Sequence, residues 1–131
     1  MSPENQLPQG RLVLVVGPSG AGKDALIERA KLAFASDKRF IFARRIVTRA
    51  AMAEDHDSLD MSAFDNAEKN GAYLLSWHAH DLGYGLPIAL RDELNAGRIV
   101  VANVSRSVIL QAEDLGYPVH VLHVTADPVI L

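Results

Sequence analysis

Apolar positions along the chain fall into short unbroken runs, separated by stretches in which they recur at helical spacing. The run Leu12-Val13-Leu14-Val15-Val16 is branched-aliphatic and leads into glycines, which predicts a strand over residues 11–16 buried on both faces of a parallel sheet. Residues 24–34 place apolar side chains at helical spacing, with Asp24 in the first turn, where the helix dipole favours negative charge. Residues 40–47 read as a second strand, and residues 49–61 as a charged, irregular connection. Ser62-Ala63-Phe64-Asp65 fits a capping-box start, and Gly71 ends the short helix it opens. Residues 72–78 form a further strand; Pro87 in a first turn and Gly97 past the end frame the next helix. A strand over 98–102, a helix over 107–115 stopped by Gly116, and a last strand over 119–124 complete the pattern.

Strands alternating with helices over short connections predict a three-layer α/β domain on a mainly parallel sheet. Ligands in such domains sit at the carboxyl ends of the strands, and Asp24, Thr48, His78 and Asn103 fall near those ends. Residues 1–10 are polar and read as a flexible lead, so the expected organisation is one domain over 11–131. Asp127-Pro128 is a strong helix start with only Val129, Ile130 and Leu131 after it, which predicts a longer parent domain of which this chain is a truncated version.

Composition narrows the function classes. With 131 residues, 49% of them hydrophobic, one core is expected. A net charge of -3 without a long basic stretch gives nucleic acid no electrostatic footprint, whereas a small anion needs only a few local arginines. No cysteine is present, so disulfide and thiolate chemistry are excluded. No apolar run reaches membrane-spanning length and the amino terminus lacks a secretory pattern, which predicts a cytoplasmic protein with no membrane partner.

The chemistry concentrates after the first strand, in "GPSGAGKD". Gly17, Pro18, Ser19, Gly20, Ala21, Gly22, Lys23 and Asp24 follow the phosphate-loop pattern GxxxxGK[ST] except at the last position. Glycines there allow backbone N–H groups to wrap a β-phosphate, and Lys23 carries charge to the β and γ oxygens, so ATP is the expected ligand. Asp24 replaces the usual magnesium-binding hydroxyl. It is either a helix-start residue favoured by the dipole or a hard oxygen ligand for Mg²⁺. In "RIVVANVSR" the neutral Asn103 stands where a second metal-associated acid is expected, so Asp24 would restore a carboxylate that Asn103 does not provide.

On the acceptor side, phosphoryl transfer calls for arginines around existing phosphates and a polar group near the attacking oxygen. "ARRIVTR" offers Arg44, Arg45, Thr48 and Arg49. "SWHAHDLGYG" places Ser76, His78 and His80 on one face if the strand persists, with Tyr84-Gly85 in the following turn and Trp77 as core packing. The histidine pair lacks convincing further ligands for zinc. Ser105 and Arg106 open the next helix, where an anion meets both a dipole and a guanidinium.

Together, "GPSGAGKD", "RRIVTR", "LLSWHAHDLGYG" and "VVANVSR" resemble the ribose 1,5-bisphosphate phosphokinases of phosphonate breakdown, relatives of guanylate kinases, over most of residues 11–131. The resemblance implies a P-loop NTPase fold of the nucleoside monophosphate kinase type. It also implies transfer of the ATP γ-phosphoryl to ribose 1,5-bisphosphate, a small sugar phosphate, giving 5-phosphoribosyl 1-diphosphate. In that family an aspartate ends the phosphate loop. The implied acceptor residues are Arg45, Thr48, Arg49, His78, Tyr84, Asn103 and Arg106. The family continues beyond "DPVIL" into an arginine-bearing lid and further helices. Two alternatives stand beside this reading: GMP as acceptor, disfavoured by the lack of base-reading acids, and a nucleotide-binding remnant without catalysis.

Overall fold

A computed structural model describes residues 9–48, 56–58 and 60–125. Two four-stranded sheets carry the fold. The first is built around β1 (Arg11–Val16), which pairs in parallel with β7 (Ile99–Asn103) on one side and β8 (Val119–His123) on the other. β2 (Phe40–Phe42) adds to the outer edge of β7, also in parallel. The second sheet has the order β4 (His56–Ser58), β3 (Arg45–Val47), β6 (Leu82–Pro87), β5 (Tyr73–Ala79), with antiparallel pairing on both sides of β6.

Helices flank the first sheet on both faces. Leu12, Leu14 and Val16 of β1 and Val100 and Ala102 of β7 share a core with Leu90 and Leu94 of α3 (Leu90–Asn95) and Ala112 of α4 (Ile109–Glu113). Leu74, Leu75, Trp77 and Leu86 bring the second sheet into the same core. Each fully buried Leu or Val contributes roughly 1.5–3 kcal/mol relative to exposure. On the opposite face of β7, Val101 and Asn103 face Ile27 and Lys31 of α1 (Lys23–Ala33). The architecture is the three-layer α/β arrangement expected from the alternation of elements. α1 has no buried side chain, and Leu32 is 78% exposed.

The structure corrects several boundaries. Residues 40–47 are not one strand. The chain breaks at Ala43-Arg44 because β2 serves the parallel sheet and β3 the antiparallel one, and one straight strand cannot pair in both. α2 (Met61–Lys69) is capped by Asp60, whose carboxylate accepts the Ala63 N–H at 2.8 Å, not by Ser62. Pro87 closes β6, and the helix starts only at Leu90. Within residues 49–61, His56–Ser58 pair with β3. Asp127 and Pro128 lie outside the described residues.

β6 itself is the largest surprise, since Tyr84-Gly85 read as a turn. The turn comes earlier, at His80 (φ 54°) and Asp81 (φ 60°), both left-handed, as a two-residue hairpin requires. The glycines of β6 serve packing instead. A Cβ on Gly83 would stand 2.7 Å from the Phe64 ring, and one on Gly85 would stand 2.7 Å from the Tyr73 ring. Those two rings stack on each other, with centroids 4.8 Å apart, and fasten α2 to the hairpin. Gly83→Ala is therefore expected to cost about 1–3 kcal/mol in urea unfolding. The same change should cost measurably less in a Phe64→Leu background, because the ring it strikes is gone.

Candidate functional site

The loop after β1 is shaped by two glycines. Gly17 has φ 140°, and a Cβ there would lie 2.2 Å from the Val124 carbonyl oxygen, so any side chain collides with backbone. Ser19–Ala21 make one tight turn, and Gly22 at φ 90° hands the chain to α1. Lys23 folds back over the loop, its Nζ donating to the Gly17 carbonyl at 2.9 Å. Burial, and after it the neighbouring Arg45, lower the Lys23 pKa; Asp24 partly offsets both.

Register brings the other strand ends to the same level. Val15 pairs with Asn103, and Val16 with His123. Asn103 Nδ2 donates to Asp24 Oδ1 at 3.1 Å, while Asn103 Oδ1 is buried without a partner among the described residues. Beyond Asn103, Ser105 caps the turn over Arg106–Val108, accepting the Ser107 N–H at 3.2 Å. Arg106 Nη2 donates to His123 Nε2 at 2.7 Å.

The loop and strand ends open into one cavity of about 630 Å³, lined by Gly17, Pro18, Lys23, Asp24, Arg45, Trp77, Ala79, His80, Tyr84, Asn103, Val104, Ser105 and Arg106 but not by His123. Its far wall is a stack. Trp77 and Tyr84, cross-strand partners, lie 5.4 Å apart at 3°, and the Arg45 guanidinium sits 5.6 Å from the centre of the Tyr84 ring. Among the described residues the lining carries Lys23, Arg45, Arg106 and the carboxylate of Asp24, so cationic side chains converge on the cavity.

Not every residue singled out in the sequence reaches this cavity. Thr48 locks β3 to β6: its Oγ1 accepts the Gly83 N–H at 2.8 Å, and its own N–H donates to the Gly83 carbonyl at 3.1 Å. His78 is on the other side of β5, within 3.5 Å of Glu68 and edge-on to Phe64. His80 is past the end of the strand and lines the cavity, so His78 and His80 do not share a face. Arg49 lies outside the described residues. Asp65, Glu68 and His78 gather their ligand atoms within 4.8 Å, but both Glu68 oxygens are engaged, by Ser76 Oγ at 2.7 Å and by His78. Trp77, assigned to core packing, is both core and cavity wall. Its parity with Ala79, opposite to His78, is the signal that a settled strand register would have supplied.

The three-layer fold and the strand–loop–helix phosphate site define a P-loop domain of guanylate kinase type. The guanylate kinase of Anaplasma phagocytophilum superposes with a TM-score of 0.64 at 17% identity, covering 89% of this chain and 60% of that one. No protein-family model matches the chain. The ribose 1,5-bisphosphate phosphokinase PhnN of Methylobacterium radiotolerans is 50% identical over 123 residues, 93% of this chain and 70% of the relative. The protein of the same name from Brucella melitensis is 53% identical over 104 residues, 78% of this chain and 54% of the relative. The chain belongs to the ribose 1,5-bisphosphate phosphokinase PhnN family, and it spans 54% to 70% of the length of these two members. Among the described residues, no helix is long and apolar enough to cross a membrane.

The lowered Lys23 pKa gives the site a proton signature. A bound polyanion favours the charged form and raises the lowered Lys23 pKa again, so binding at a pH where Lys23 titrates takes up protons. Titrating magnesium tripolyphosphate across the alkaline range should give an enthalpy that varies with the ionisation heat of the buffer, the variation starting at lower pH than an ordinary lysine would give. Lys23→Met should remove that variation.

Proposed function

We propose that this chain carries the ATP site and the acceptor pocket of a phosphotransferase that converts ribose 1,5-bisphosphate and ATP to 5-phospho-α-D-ribose 1-diphosphate and ADP, in phosphonate breakdown in the cytoplasm. The observation that carries the reading is the phosphate loop closed by Lys23 onto Gly17, opening into a cavity lined by Lys23, Arg45 and Arg106. An oxygen of the acceptor 1-phosphate attacks the γ-phosphorus, and the bond from that phosphorus to the β-γ bridging oxygen breaks. The attacking phosphate is already anionic, so the step needs no general base, in keeping with a wall whose one carboxylate among the described residues is Asp24. GMP as acceptor would call for acids that read the base's N–H donors, and the described wall offers none beyond Asp24.

The loop backbone from Gly17 to Lys23 would hold the β-phosphate, and Lys23 would neutralise charge on the transferred group. Arg45, Arg106 and the Tyr84 hydroxyl would hold the acceptor phosphates. Thr48 and His78 would support that pocket from behind, and Arg49 is assigned to the acceptor from its place in the "RRIVTR" motif. The donor set fits magnesium through Asp24, which offers a hard oxygen at the cavity wall beside Lys23, and Asn103 meets that carboxylate with its amide nitrogen, while its own Oδ1 is buried without a partner among the described residues. Asp24 would hold the ion, which when bound neutralises the β and γ phosphates. Asn103, by donating to Asp24 Oδ1, orients that carboxylate.

Two tests follow. With MgATP and ribose 1,5-bisphosphate, phosphorus NMR should show 5-phosphoribosyl 1-diphosphate, lost on Lys23→Ala; a folded chain that binds MgATP and yields no product would instead favour a nucleotide-binding unit without turnover. Calorimetry should show ATP binding that weakens at least about tenfold when EDTA removes magnesium. In Asp24→Ala the two affinities should converge, and an unchanged ratio would remove Asp24 from the metal site.

A further inference from the structure

β8 was the least expressive strand in the sequence, yet its carboxyl end touches the site. Val124 donates its N–H to the Val16 carbonyl at 2.9 Å and lays its own carbonyl against Gly17, so this strand end is fixed to the root of the phosphate loop. His123, opposite Val16 in the register, therefore stands on a backbone that cannot shift without moving the loop. Its ring meets Arg106 at 2.7 Å. Arg106 lines the cavity, and His123 does not.

A guanidinium has only donors, so the contact requires Nε2 to be the bare nitrogen of a neutral imidazole, with the proton on Nδ1. One N–H of Arg106 is spent on this bond and the others remain for an anion. An exposed arginine otherwise samples many rotamers, and that freedom is lost when it binds. We infer that His123 is a positioning residue: it holds the Arg106 guanidinium at the cavity mouth, pre-ordered for a phosphate group. The inference rests on the reading of the cavity as a phosphate pocket.

The test separates the two. Long-range nitrogen–proton NMR at about pH 8 is expected to find His123 with a bare Nε2, and an Nε2–H tautomer overturns the pair outright. Titration of magnesium tripolyphosphate should then weaken about tenfold in Arg106→Leu and about three- to tenfold in His123→Leu. His123→Gln, which keeps an acceptor, should stay within about twofold of the parent chain. Equal affinity of His123→Leu and the parent overturns the positioning role, as does a His123→Gln chain as weak as His123→Leu. No binding by the parent chain, with the tautomer as expected, overturns the phosphate-pocket reading and with it the role assigned to His123.

Discussion

Everything at the site depends on β1 being paired in register on both sides at once. Val15 opposite Asn103 and Val16 opposite His123 bring three strand ends to one level. At that level the chain must leave β1 without a side chain, because Gly17 lies directly under the Val124 carbonyl. The loop, the Asn103–Asp24 contact and the Arg106–His123 contact are then neighbours by construction. Parallel pairing is possible here because α3 and α4 cover one face of the sheet and bury Leu12, Leu14 and Val16 of β1, while α1 lies beside β7 on the other.

The second sheet supplies the opposite wall under a different constraint. Its hairpin is pressed between the core and α2, and it fits only because two β6 positions lack side chains. Phe64 and Tyr73 occupy that space on the outer face, which leaves Trp77 and Tyr84 stacked on the inner face toward the cavity. One side of the cavity is thus an aromatic floor with Arg45 resting on it, and the other is a backbone cradle closed by Lys23. Placing Arg45 near a half-buried Lys23 makes two like charges converge, a strain that an anion relieves.

How much of this was legible depended on whether local chemistry had a single meaning. The run Leu12 to Val16 followed by "GPSGAGKD" has essentially one reading, and β1, the loop and α1 fall where that reading puts them. β6 was hidden because Gly83 and Gly85 are locally turn residues, and only the rings of Phe64 and Tyr73, distant in sequence, make them strand residues. β2 and β3 were merged because the break between them answers to two different sheets and to no Gly or Pro. His78 reads as a site residue and Trp77 as core because polar side chains are expected at a site, whereas here the apolar parity of β5, Trp77 and Ala79, lines the cavity and His78 is exposed on the other face. The contact between Arg106 and His123 spans 17 residues and depends on β8 register, which its loose pattern did not carry.

Trp77 is the chain's single tryptophan. Its indole lies flat on Tyr84, 7% exposed, on the wall of the cavity. Emission excited to the red of tyrosine absorption therefore comes from one place, and that place is the cavity wall. The molecule carries its own optical probe, sensitive to the polarity beside the indole and to the tilt of one stacked ring, without a label or an added chromophore.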